Sequence, residues 1–503
     1  MRRKNFFPHS SPLTLNLFAA LFYKASVQRT MTRISHSPRL LLIWLMIGLA
    51  SVVAGTARAD DTEEVIKRFG YYDDSQLQAY VQKVGERVAQ HSDEPNREYR
   101  FTVLDSADVN AFTLPSGDIF ITRGLLAYLN SEAELAAVLG HEIGHVTARH
   151  ISRQQTASAA ANLGYLLGSI FVPELRNQGA QQIFNVVGGA VLSGYGREHE
   201  LEADRLGAEF LARSGYDPQA LIDVLRVLKN QEAFERQLAQ EEGRQPRVYH
   251  GLFASHPDND TRLQQVVAKA GELENSGART VNRAEFIKRL DGLTFGDSAR
   301  EGVRRGNEFY HGELGFALTF PEGWRVENLP NQLVAQPPAG DALLQMGTED
   351  LIPNLSPRQF MLRKLKLGRL QQGEAFEYPW GEGYTALATT RTQVGPRLAR
   401  FTVLYFRDKA YVFAGVTKDA NDPYRYDGEF IKTAQSFRAL TDKERHLAEP
   451  LHLKVIRAHG DLPLLNLSER SRIPSHALEQ LQLLNHLYPD GEPQSGDLIK
   501  IVE

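Results

Sequence analysis

The segment His141-Glu142-Ile143-Gly144-His145 constrains this chain more than any other. Histidines four apart sit above one another on a helix, so His141 and His145 can face one tetrahedral Zn²⁺ while Glu142 projects toward a water. A helix is well specified here. Ser131 reads as its N-cap with Glu134 three residues on, a capping box, and Leu135, Val138 and Leu139 form a buried stripe. The same three residues also fit a solvated helix that holds no metal. A hydrolytic zinc needs three protein ligands and an open position, so a further donor must come from elsewhere in the chain.

Glu198-His199-Glu200-Leu201-Glu202-Ala203-Asp204-Arg205 is the obvious supplier, opening a helical pattern that runs through Leu206, Ala208, Phe210 and Leu211. Glu200 and Asp204 share a face, so one can ligate while the other orients a ligating histidine. The alternative is an acidic, solvated helix face. A third segment, Asn110-Ala111-Phe112-Thr113-Leu114-Pro115-Ser116-Gly117, reads as a strand and turn leading into Phe120 to Leu126. Together, H-E-x-x-H, E-x-x-A-D and N-A-F-x-x-P-x-G resemble the zinc metallopeptidase family that includes the CAAX prenyl endopeptidases, HtpX and BepA. The resemblance covers roughly residues 62 to 270. It implies one Zn²⁺ per chain held by His141, His145 and Glu200, with Glu142 as general base and Asp204 as the carboxylate behind a ligand. In that chemistry the metal activates a water, and Glu142 takes its proton and passes it to the leaving amine.

Phe101 to Leu104 and Asp118 to Thr122 read as short strands near the metal helix, and a strand edge there would hold an extended, unfolded substrate by main-chain hydrogen bonds. Gly140 and Gly144 flank the histidines and would let another backbone approach the metal helix. Downstream, Ser255-His256-Pro257 offers His256 as a fourth ligand that latches the site, with Arg262 as an oxyanion donor. The other reading is a loop histidine before a helix starting near Asp258. His150, His199 and His250 read as surface or core histidines. Ala157 to Gly196, rich in Ala, Gly and Leu, is too broken to span a bilayer and reads as two helices that gate the site.

From Met31, two arginines, an apolar run from Leu40 to Gly55 and Ala57-Arg58-Ala59 make a secretory signal peptide with cleavage after Ala59. Residues 1 to 30 fit poorly in front of it, so Met31 reads as the true start. The chain has no cysteine, which excludes disulfides and a cysteine-linked lipid, and a periplasmic protein is the simplest fit. With 42% hydrophobic residues and a formal net charge of -4, its 503 residues read as globular, with no nucleic-acid partner.

The fold class expected is α+β: a mainly helical metallopeptidase domain with a small sheet over 60–275, then a charged helical connector over 276–308. A small antiparallel α+β domain follows over 309–440. There Leu314 to Pro321, Arg400 to Phe406 and Ala410 to Val416 read as strands, Asp408-Lys409 as a hairpin, and Leu355 to Leu370 and Tyr424 to Phe437 as helices. Its opening is similar to PsbP-like proteins, and Trp324 reads as core. Residues 451–503 resemble a LysM module, with Gly460-Asp461-Leu462 standing where G-D-T is usual. Three functions follow: a zinc endopeptidase acting on unfolded or misassembled envelope proteins, a chaperone or assembly factor with a latched metal site, or a peptidoglycan-binding protein working through its C-terminal module.

Overall fold

A computed structural model describes residues 61–67, 69–153, 196–241, 262, 265–266, 279–329, 332–392, 395–460 and 462–503. The expected signal peptide, the segment from 157 to 195, His250 and His256 lie outside the described residues. Thr62–Glu503 form one compact unit. Among the described residues no helix is long and apolar enough to cross a membrane.

The helical part begins with α1 (Ser75–Ala89), whose N-cap Asp74 accepts the amides of Gln76 and Leu77. It lies against a three-stranded sheet of β1 (Arg100–Leu104), β2 (Ala111–Thr113) and β3 (Asp118–Thr122). The order is β1-β3-β2, with β1 parallel and β2 antiparallel to β3, so β2 is an edge strand. The chain turns between β2 and β3 through Gly117 at φ +95°, a left-handed conformation that glycine takes without a Cβ clash.

After α2 (Arg123–Tyr128) comes α3 (Glu132–Thr147), the helix that carries His141 and His145. Ser131 caps it by accepting the Glu134 amide at 3.1 Å, as the sequence pattern requires. The return bond differs by one residue: Glu134 Oε2 accepts from Asn130 N rather than from Ser131 N. Glu132, in the first turn, accepts the hydroxyls of Tyr80 and Tyr216 at 2.7 Å each, which pins the start of α3 to its neighbours. Next are α4 (Arg197–Arg213) and α5 (Gln219–Glu241), both packed on α3.

The connector is not a continuous helix. Among its described residues only α6 (Arg283–Arg289) is helical, because Gly292, Gly296 and Gly302 follow with positive φ and turn the chain into β4 (Thr294–Phe295) and β5 (Val303–Arg305). Then come β6 (Glu308–His311), β7 (Phe316–Thr319), β8 (Arg325–Leu329), β9 (Gln332–Gln336), β10 (Ala342–Asp350), α7 (Pro357–Arg363), β11 (Gln371–Tyr378), β12 (Gly381–Thr392), β13 (Gly395–Phe406), β14 (Lys409–Thr417), α8 (Asp427–Gln435) and β15 (Arg438–Ala439). Both expected helices are present but shorter than the apolar pattern indicated.

Seven strands form one antiparallel sheet in the order β11-β12-β13-β14-β10-β9-β8, and β15-β7-β6-β5 form a second. Strands β13 and β14 make the expected hairpin, with Phe406 opposite Lys409. Period-two alternation splits β13 between two cores. Phe401 and Val403 face Phe360 and Met361 of α7, while Leu404 and Phe406 face Phe316, Phe430 and Phe437. Trp324 is partly buried and packs edge-on against Tyr426 and Phe430 at the margin of the second core.

The last segment runs β16 (Leu451–Arg457), α9 (Leu464–Ser468), α10 (Ala477–Leu484) and β17 (Leu498–Val502), matching the strand, helix and strand expected there. It shares a hydrophobic core with the helical part: Leu451, Leu464, Leu481, Leu484, Ile499 and Val502 join Leu126, Leu129 and Leu225. Polar contacts join them too. The fully buried Lys500 donates to the carbonyls of Ala127 and Leu129 at 2.6 and 2.7 Å, and Asn130 Nδ2 donates to Leu484 O at 2.9 Å.

Candidate metal centre

Helices α3 and α4 meet through small residues. A Cβ on Gly144 would lie 3.0 Å from Ala203 O, and one on Gly207 would lie 3.1 Å from His141 N. With no side chains between them the two backbones come close enough for a glutamate on one helix to reach histidines on the other. The role expected of Gly140 and Gly144 is therefore seen directly, with Ala203 and Gly207 as their counterparts.

His141, His145 and Glu200, all buried, each offer one ligand atom within 4.8 Å of the others. The two Nε2 atoms are 3.0 Å apart, and Glu200 oxygens lie 3.6 Å from His141 Nε2 and 3.3 Å from His145 Nε2. Donors bound to zinc at tetrahedral angles with bonds of about 2.05 Å would be about 3.3 Å apart, so the triangle already has the right size. His141 Nδ1 is 2.8 Å from Asp204 Oδ1, so once a metal displaces the proton from Nε2 the ring would keep its hydrogen on Nδ1 and turn the Nε2 lone pair to the cluster. The donor set fits zinc.

Glu142 is fully buried one residue after His141. Arg262 is buried too. It grips Asp204 with Nε and Nη2 at 2.7 Å each and reaches Glu200 Oε2 with Nη1 at 3.1 Å. These contacts commit the guanidinium to the ligand Glu200 and to Asp204 behind His141, which differs from the oxyanion-facing position that the sequence led us to expect. Burial alone would raise the Asp204 pKa, but the Arg262 charge and its hydrogen bonds outweigh burial and hold the carboxyl down at about 2. Burial likewise opposes charge on His141, yet hydrogen bonds to Asp204 and Glu200 carry its pKa up to about 9. The cluster attracts a cation, as a metal site must.

The surroundings divide in two. Beside His145 a cleft of about 230 Å³ is walled by Leu114, Pro115 and Val146, with Arg97 and Arg149 at its rim. Beside His141 and Glu142, Leu221, Val224, Leu225 and Leu228 of α5 form an apolar wall. His150, expected as a surface or core residue, is fully buried, and its Nδ1 is 2.8 Å from His145 Nδ1. Burial pushes its pKa down to about 4. His199 is half-buried and stacks on His150 with ring centroids 4.4 Å apart.

With this geometry in view, known proteins agree. A profile of peptidase family M48 matches residues 75–270. Residues 75–270 are an M48 peptidase domain. M48 peptidases use zinc, and the His141, His145 and Glu200 group is where this domain can hold one ion. Among relatives of the M48 domain, the beta-barrel assembly-enhancing protease of Escherichia coli (strain K12) is 30% identical over 206 residues, which is 40% of this chain and 40% of that protein. Metalloprotease LoiP of the same strain is 29% identical over 174 residues, 33% of this chain and 60% of its own length. The chain thus spans less than two thirds of the length of each of these relatives. The solution structure of cyanobacterial PsbP (CyanoP) from Synechocystis sp. PCC 6803 aligns at 15% identity over 29% of this chain and 96% of that one. Its TM-score of 0.22 is too low to assign a fold.

Proposed function

We propose that this protein is a periplasmic zinc-dependent endopeptidase that hydrolyses misfolded or unassembled envelope proteins. The observation that carries the reading is the convergence of His141, His145 and Glu200 with the buried Glu142 beside them. The name of the E. coli relative, a beta-barrel assembly-enhancing protease, supports an envelope substrate.

Zinc bound at this site would polarise the scissile carbonyl and acidify a water. The chain's own residues do the rest. Glu142 accepts a proton from the attacking water and delivers it to the amine nitrogen as the C–N bond breaks, giving an amine on one fragment and a carboxylic acid on the other, which then ionises to solvent. Asp204 keeps His141 in the tautomer whose Nε2 faces the site, and Arg262 offsets the charge of Asp204 and of the ligand Glu200.

The C-terminal segment supports a positioning role in this scheme. Its strand-helix-helix-strand order suits a LysM-like module, but β17 and α10 spend their apolar surface on the helices around the site. We assign it to holding the metal helix rather than to peptidoglycan. The test of the main proposal is cleavage of an unfolded, casein-like substrate by the mature protein and by Glu142→Gln with zinc measured in both. Loss of cleavage with zinc retained is expected; equal cleavage would sink the proposal.

A further inference from the structure

Each histidine ligand presents one ring nitrogen to the metal site and one to the protein. For His141 the protein side is Asp204. For His145 it is another imidazole. His150 Nδ1 is 2.8 Å from His145 Nδ1, and on the far edge of the same ring Nε2 is 3.1 Å from Glu202 Oε2. Arg153 Nη1 bonds that same oxygen at 2.8 Å.

With the lone pair of His145 Nε2 turned to the ion, one arrangement of hydrogens satisfies the whole row. His145 Nδ1–H donates to His150 Nδ1, His150 Nε2–H donates to Glu202, and Arg153 balances the carboxylate. We propose that His150, anchored by Glu202 and Arg153, is the positioning residue for His145, fixing the tautomer and ring plane in which Nε2 faces zinc. This rests on the reading of His141, His145 and Glu200 as the zinc ligands.

Two features show that the chain is built to place this ring. On a continuing helix the residue over His145 would be Arg149, four positions on, not His150. Arg149 instead takes φ +54°, a left-handed conformation that costs a non-glycine residue about 1–2 kcal/mol, and the chain turns so that His150 meets His145. On α4, His199 and Glu202 lie three apart and therefore on one face, so one helix stacks on the His150 ring and bonds its edge. The two ligands are then unequal. His141 is polarised by a carboxylate directly, and His145 through a neutral ring, which makes His145 the weaker donor of the pair.

The test is zinc affinity of the full chain, measured by competition with a chromophoric chelator, for wild type, His150→Leu and His150→Asn. Leucine and asparagine are of similar size, but only the asparagine oxygen can accept the His145 Nδ1–H. His150→Leu is expected to bind zinc about 10–100-fold more weakly, and His150→Asn to recover most of that loss. No loss in either variant, or the same loss in both, overturns the proposal. Should the His150 variants fail to fold, Glu202→Leu, on a partly exposed side chain, repeats the test: weaker zinc binding supports the relay and unchanged binding overturns it. A wild-type protein that takes up no zinc would instead bring down the metal reading itself, a result distinct from tight wild-type binding with indifferent variants.

Discussion

The helical part and the antiparallel-sheet domain bury side chains to opposite ends. Around α3 and α4 the interior holds Glu142, Glu200, Asp204, Arg262, His141, His145 and His150, most of them in contact with one another. The sheet domain fills its two cores with Phe360, Phe401, Val403, Phe316, Phe406 and Phe430, and its chief buried ion pair is Arg400 with Asp427. Burying charge costs free energy unless partners offset it, whereas burying phenyl rings is favourable without them. A fold tolerates the first arrangement where chemistry requires it, so the contrast marks the helical part as the place for the proposed chemistry.

The sharpest way to break this contrast is Glu142→Gln. Loss of a general base should lower kcat by at least about 10²–10⁴-fold, read on an unfolded substrate, with zinc content and unfolding midpoint near wild type. Next is a matched pair. Arg262→Ala leaves Asp204 and Glu200 as uncompensated buried charges and should cost about 3–5 kcal/mol in urea unfolding, together with zinc binding. Phe401→Ala opens a cavity in the sheet domain at a similar cost of about 3–5 kcal/mol, but zinc content and activity per folded molecule should stay at the wild-type level. If Phe401→Ala also removed zinc, the two regions would not be separable in function. A smaller effect is expected for Gly144→Ala, whose methyl group must push Ala203 away: about 1–3 kcal/mol, with weaker zinc binding because Glu200 moves with α4. Smallest is Arg213→Ala, which removes an exposed pair with Asp93 and should change stability by less than about 1 kcal/mol in the same assay.

How much of this could be read from the sequence depended on the range of the interactions involved. The metal helix was legible because its cap, its apolar stripe and its two histidines all follow local helical spacing. Helical spacing offered Glu200 and Asp204 as candidate partners for that helix and the family resemblance chose Glu200 as the ligand, while Gly140, Gly144, Ala203 and Gly207 mark where the two backbones touch. His150 stood five positions after His145, off the helical face, and its approach depends on the left-handed turn at Arg149, which no periodicity encodes. The break in the connector was written in Gly292, Gly296 and Gly302 but was masked by the charged helical pattern before them. Arg262 was noticed for the right region and given a different partner, because distance along the chain says nothing about which charge a guanidinium will meet. The attachment of β17 was equally hidden, since a strand's alternation tells which residues are buried and not against what.

Lys500 carries a consequence for anyone handling this molecule. Its ammonium closes on the carbonyls of Ala127 and Leu129, just ahead of the helix that bears His141. Excising the M48 portion as a stand-alone unit would uncap those carbonyls and bare the leucines that β17 and α10 conceal, inviting clumping. The M48 portion and the distal strand are better expressed, purified and crystallised as one uninterrupted polypeptide.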